Sequence, residues 1–298
     1  MTGALWALVA GVGFGLFQSF NRQAVRGMDV YVSTFLQLLV SAFLLISISL
    51  LTQNVTALFS APSLTWFYFS VAGFFHFLIG WTFLNASQKR IGAARTGSLI
   101  GTTPLFAAAL AGISLAEIPT WVTLVGIFVI VGGVYLVNSS KVGFRPDNPS
   151  KVELKAVWMG LAAALCWSIS PIFIRLGLEL LPSPILGVTV GITASALAYG
   201  LVLAFRRAKG QLNRSSFFVE TTGLKVIAAM LVGLSTWVRW IALDLTAVAT
   251  VLALSLVSVP VVNLLAPIIS GRDLERVTLQ VWAGSGLIIM GSLVLIFF

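Results

Sequence analysis

Pro104 and Pro260 each interrupt a long apolar stretch, at corresponding places in two related parts of the chain. Proline has no N–H, so the carbonyl four residues earlier, at Ile100 and at Leu256, loses its helical partner. Beside these breaks lie Gly101, Thr102, Thr103, Ser255 and Ser258. Their backbone and hydroxyl groups can meet a small solute, or they can simply repair the break. His76, the only histidine, falls near the middle of another apolar stretch. A neutral imidazole there offers one donor and one acceptor, and an ordinary pKa of about 6.5 would also let it take a proton. The plainer alternative is a neutral histidine bridging two helices. Arg239 lies 14 residues beyond Lys225, which is about 20 Å along a helix. Its guanidinium fork suits a carboxylate or a phosphate. It can instead snorkel outward or pair with Asp244.

Further polar groups within apolar stretches are Gln18, Asn21, Gln37 and Asn263. Each is a candidate ligand or an interhelical hydrogen bond. Trp81, Trp167 and Trp237 can form an apolar or cation-binding wall, or can serve as packing and interfacial anchors. Glu117 and Glu275 match each other but stand at short turns, and Ser114 to Glu117 has capping-box spacing. We expect them to cap helices rather than to act chemically.

The elements that position these groups belong to a membrane. Of 298 residues, 58% are hydrophobic and 9% charged, and the mean hydropathy is +1.03. A chain this size has no way to hide that much apolar surface from water. The net charge of +9 resides in short loops rather than in a basic stripe, which argues against a nucleic-acid partner. The single Cys166 excludes a disulfide framework, and no cysteine–histidine cluster is present to bind a metal. We expect no cofactor. The first apolar run lacks a basic start and a small-residue cleavage site, so it reads as a retained helix.

With about 20 apolar residues needed per crossing, spans are expected near 3–20, 30–51, 65–85, 92–115, 119–137, 156–174, 184–205, 224–243, 247–269 and 278–298. The polar stretch 138–155, with Pro146 and Pro149, separates two five-helix halves. The domain reading is residues 1–140, a linker over 141–155, and residues 156–298. Alternate loops hold 16 of the 18 basic residues, and the other set holds only Arg175 and Arg239. The positive-inside rule places the first set in the cytoplasm and both termini outside.

The halves are related. Trp6–Phe20 with Asn21 and Arg22 recurs as Trp158–Phe173 with Ile174 and Arg175. Glu117, Gly126 and Gly133 recur with the same spacing as Glu275, Gly284 and Gly291. The basic loops follow the first and third helices of the first half, and the second and fourth helices of the second half. A duplication in one orientation would not reverse that pattern; an inverted one requires it. The expected fold is all-α and integral to the membrane: ten transmembrane helices, as two inverted five-helix repeats around a central cavity. Inverted repeats with broken helices are the architecture of alternating-access carriers. Gly11 and Gly15, Gly97 and Gly101, and Gly187 and Gly191 have small-xxx-small spacing for close helix contact, within a monomer or, alternatively, across a homodimer.

Three segments carry a family resemblance: "WALVAGVGFGLFQSFNRQ", "RTGSLIGTTPLFAAALAGISLAEIPTWVTLVGIFVIVGGVYLV" and "VLALSLVSVPVVNLLAPIISGRDLERVTLQVWAGSGLIIMGSLVLIF". They resemble the EamA-type ten-helix members of the drug/metabolite transporter superfamily. The resemblance implies export or exchange of small metabolites such as amino acids, with sugar phosphates, nucleotide sugars or drugs as alternatives. It also implies a cavity lined mainly by the first, third and fourth helices of each half. Smaller multidrug-resistance relatives use an intramembrane glutamate in the first helix, where this chain has Gln18 and Asn21. That difference favours neutral, zwitterionic or mildly anionic solutes over proton-exchanged cations. The chain lacks a Walker motif and the grouped acids or histidines of a membrane enzyme, so ATP coupling and catalysis are not expected. A membrane scaffold is the remaining rival. The expected partners are thus the lipid bilayer and a small-molecule substrate, in a multi-pass protein of the cytoplasmic membrane.

Overall fold

The computed structural model describes residues 1–25, 28–139, 154–211, 221–270 and 278–297. The expected linker over 141–155 falls almost wholly outside these residues, and Glu275, read as a helix cap, falls outside them too. Every regular element among those described is helical.

The first half contains α1 (Thr2–Ala24), α2 (Val30–Thr52), the short α3 (Ala57–Ser60), α4 (Ser63–Gly73), a π-helical segment (Phe74–Gly80), α5 (Trp81–Ile100), α6 (Thr103–Ser114) and α7 (Trp121–Ser139). The second half contains α8 (Leu154–Leu180), α9 (Pro184–Ala208), α10 (Thr222–Leu245), α11 (Val248–Leu254), a 3-10 turn (Ser255–Val257), α12 (Ser258–Ser270) and α13 (Leu279–Phe297). Eight helical stretches among the described residues are long and apolar enough to cross a bilayer; Thr103–Ser114 and Trp121–Val137 are shorter. Large apolar side chains such as Phe43, Leu51, Trp121 and Ile268 stand mostly exposed, the pattern of a surface solvated by lipid.

Local chemistry explains the boundaries. Asp29 Oδ1 accepts the Tyr31 and Val32 N–H groups at 2.9 and 3.2 Å, which starts α2. Helical backbone continues through residues 86–91, where a loop was expected. Yet Ser87 Oγ and Thr96 Oγ1 are hydrogen-bonded at 2.9 Å. A straight helix would separate positions nine apart by about 13.5 Å, so the chain folds back between them. The fourth expected span, 92–115, is divided by a turn at Gly101 and Thr102, just before Pro104. The ninth, 247–269, is divided by the 3-10 turn just before Pro260. Both breaks have the cause read from the sequence: a ring that neither donates nor clears the preceding turn.

Packing relies on close backbone approach. Helix α1 lies along α10, α7 along α13, α5 against α8, and α2 against both α9 and α10. A Cβ on Gly73 would fall on the Gly191 carbonyl, and one on Gly15 would overlap Val261. These contacts are internal to the monomer. At the α7–α13 crossing the contacts are reciprocal. A Cβ on Gly133 would meet the Gly284 carbonyl, and one on Gly284 would meet that of Gly133. Gly126 and Gly291 face each other in the same way, and Ile288 abuts Gly133 as Ile130 abuts Gly291. Where two helices in lipid have no hydrophobic drive to associate, such glycines allow the van der Waals contact that holds them.

Candidate functional site

Residues from α1, the π segment, α5, α6, α8, α10, α11, the 3-10 turn and α12 line a cavity of about 100 Å³. In terms of the spans read from sequence, every lining residue comes from the first, third or fourth helix of a half.

The π segment shapes one wall. Its wider turn leaves a backbone carbonyl without a regular partner, and such segments recur at functional sites. Here Trp167 Nε1 donates to the His76 carbonyl at 3.1 Å. Gly80 leaves room for that indole, since a Cβ would overlap it. The Trp167 ring then lies nearly parallel to the His76 imidazole, 5.7 Å between centroids, while Trp81 and Phe77 meet the imidazole edge-on.

Opposite His76, Arg239 projects from α10 and is buried but for 7% of its surface. Its Nη2 lies within hydrogen-bond distance of His76 Nε2. Arginine has no acceptor, so it is the donor, and the imidazole carries its proton on Nδ1. The guanidinium also lies 4.6 Å above the Phe14 ring centroid. It makes no pair with Asp244 and no pair with any other carboxylate of a described residue. Arg239 therefore faces the cavity instead of snorkelling.

Of the positions singled out in the sequence, the cavity brings together Gln18, His76, Trp81, Thr103, Trp167, Arg239, Ser255 and Ser258. Their hydroxyls divide in two. Thr103 Oγ1 donates to the Ile100 carbonyl at 2.6 Å and Ser255 Oγ to the Val251 carbonyl at 2.8 Å, so these two satisfy the backbone around the breaks. The Gln18 amide and the Ser258 hydroxyl have no side-chain hydrogen bond to the described protein and border the cavity. Thr102, Trp237, Asn263, Pro104 and Pro260 do not line it. Thr102 Oγ1 donates to Leu99 O at 2.6 Å, again repairing the break. Trp237 packs half-buried against the main core. Pro260 and Asn263 instead border a second recess of about 160 Å³ between α12 and α13, beside the exposed Trp282 and Leu264.

Two groups have roles the sequence did not suggest. Lys225, read as a cytoplasmic loop charge, is fully buried. Its ammonium donates to Asn21 Oδ1 and, at 2.7 Å, to Gln37 Oε1, which joins α10 to α1 and α2. Glu117 does cap a helix, but not the one that follows it. Its Oε2 accepts the Val248 N–H at 2.8 Å, at the start of α11, and its Oε1 lies 3.0 Å from Arg175 Nη2. Arg175 also donates to the Leu243 and Asp244 carbonyls. The cap of α7 is Thr120, whose Oγ1 accepts the Thr123 N–H at 3.2 Å.

The helices and the cavity define a multi-pass membrane protein with a partly polar chamber enclosed by its spans. Residues 1–139 match the EamA-like transporter family, in agreement with the EamA-type resemblance read from the sequence. That family consists of membrane transporters rather than enzymes. A protein of known crystal structure superimposes with a TM-score of 0.72 over 98% of this chain and 94% of its own, at 17% identity. The fold shared with that protein spans nearly the whole chain. No curated protein matches by sequence.

Proposed function

We propose that the chain is a carrier that moves a small metabolite across the cytoplasmic membrane by alternating access between two inverted five-helix halves, over 1–140 and 156–298. The solute occupies the cavity that His76 and Arg239 border, and both termini face the non-cytoplasmic side. The observation that carries this reading is the cavity itself. It is flanked by two helix breaks, one before Pro104 and one before Pro260, and lined from both halves. Broken helices at corresponding places mark the solute site in carriers built from inverted repeats.

The inversion draws support from the α7–α13 crossing. Gly126 and Gly133 correspond in the repeat to Gly284 and Gly291, yet Gly126 meets Gly291 and Gly133 meets Gly284. Each residue thus contacts the counterpart of the other, which is the signature of a two-fold axis. The two helices run antiparallel there, which supports an axis lying across them, in the membrane plane.

Amino acids are the first substrate class to test, a choice that rests on family resemblance. The experiment is counterflow in proteoliposomes preloaded with pooled amino acids and challenged with one labelled amino acid at a time. Uptake of at least one labelled solute above protein-free vesicles is the expected result. Folded protein that exchanges no amino acid, other small carboxylate, sugar phosphate or nucleotide sugar would remove the carrier reading.

A further inference from the structure

We propose that the cavity selects a monocarboxylate anion with an apolar body, held through Arg239, over a zwitterion, an organic cation or a phosphate ester. The proposal rests on the reading that this cavity is the solute site, and it narrows the substrate class of that site.

The argument is one of charge matching. Among the described residues no Asp or Glu lines the cavity, and no carboxylate pairs with Arg239. One of its N–H groups goes to His76; the others have no protein acceptor among the described residues. A guanidinium in a membrane interior is tolerated beside a partner or water. A carboxylate supplies both missing items: one negative charge, and two oxygens spaced for the fork.

A zwitterion brings a second cation that the site has no acid to meet. The Gln18 amide and the Ser258 hydroxyl are neutral. Phe14 already has the Arg239 guanidinium over its face and Trp167 has the His76 ring, and an ammonium beside Phe14 would be repelled by that guanidinium. A phosphate ester carries nearly two negative charges against one guanidinium. His76 does not supply the difference, because its Nε2 already accepts from Arg239. The rest of the wall, with Phe17, Leu84, Val232, Leu252, Leu256 and Val259, is apolar. It favours a ligand whose remainder is hydrocarbon.

The test uses purified full-length protein and five probes that share one phenylethyl body: hydrocinnamate, phenylalanine, phenethylamine, hydrocinnamamide and phenethyl phosphate. Binding is read by tryptophan fluorescence titration and by thermal stabilisation. Hydrocinnamate is expected to bind about tenfold or more tighter than each of the others, as for a hydrogen-bonded ion pair gained or lost. Arg239→Gln should abolish that preference, and Arg239→Lys, which keeps the charge without the fork, should keep only part of it.

Equal or tighter binding of phenylalanine, the amine or the phosphate ester overturns the proposal. So does undetectable binding of hydrocinnamate, or a preference that survives Arg239→Gln. The wild-type ranking decides the matter even where a variant fails to fold. The carrier reading fails separately. A hydrocinnamate preference without flux of any solute removes the carrier and leaves the site. Counterflow of amino acids with tighter phenylalanine binding keeps the carrier and removes this proposal.

Discussion

Arg239 and Lys225 lie on the same helix, both nearly or wholly buried, and their surroundings are opposite. Lys225 is fully enclosed and spends its donors on two amide oxygens from α1 and α2. Arg239 gives one bond to a ring nitrogen and turns its remaining donors toward a cavity. A buried cation that places two of its three donors on its own protein is a fastener. One whose donors remain open is poised for something that is not protein. Burial alone does not separate the two; the count of satisfied donors does.

The comparison can be broken most sharply at Gln37. Gln37→Leu removes an oxygen from a buried ammonium, a change of about 2 kcal/mol for a hydrogen bond to a charged group. The expected outcome is a Tm several degrees lower in a detergent melt, with flux per folded molecule unchanged. An unaltered Tm would show that Lys225 does not depend on this bond.

His76→Ala tests the other cation. It removes the acceptor of Arg239 and the ring stacked on Trp167, both inside the cavity. Counterflow kinetics should change by several-fold, for a group worth about 1 kcal/mol, while the melting curve moves less than for Gln37→Leu. A large loss of Tm with normal kinetics would reverse the assignment of fastener and site.

The third charged contact should matter least. Arg175 and Glu117 keep side-chain exposures of 29% and 16%. Glu117→Gln retains an acceptor for the Val248 N–H and loses the ion pair, which for a partly exposed pair is worth about 0.5 kcal/mol. A small Tm decrease that shrinks further in high salt is the expected reading.

How much of this was legible in the residues depended on distance along the chain. Hydropathy located a helical element in each expected span, and proline chemistry located both breaks, because these are local properties. Arg239 and His76 stood out singly, as polar groups in apolar runs, but nothing in the sequence placed them together: they are 163 residues apart. Lys225 was assigned to a loop because a charge at the edge of an apolar run reads as a boundary. Its partners Asn21 and Gln37 lie 204 and 188 residues away. The capping box at Ser114 and Glu117 was a sound local pattern, but the N–H that Glu117 serves lies 131 residues on. The π segment left no readable trace, since "FFHFLIG" is as compatible with an ordinary α-turn. Gly73 just before the segment and Gly80 at its end are each closely approached by a neighbour, Gly191 and Trp167.

The reciprocal glycine contacts between α7 and α13 have a consequence for heredity. A Cβ on any of the four glycines would meet the backbone of its opposite number as well as a neighbouring Leu295, Ile130, Ile288 or Val137, so room for a new atom at one position depends on how closely the other lets the helices approach. To a drifting gene these are two sites written twice, not four. Tolerance at Gly133 should be inherited jointly with tolerance at Gly284, and likewise for Gly126 and Gly291. Divergent descendants of this chain should vary at both members of a pair or at neither.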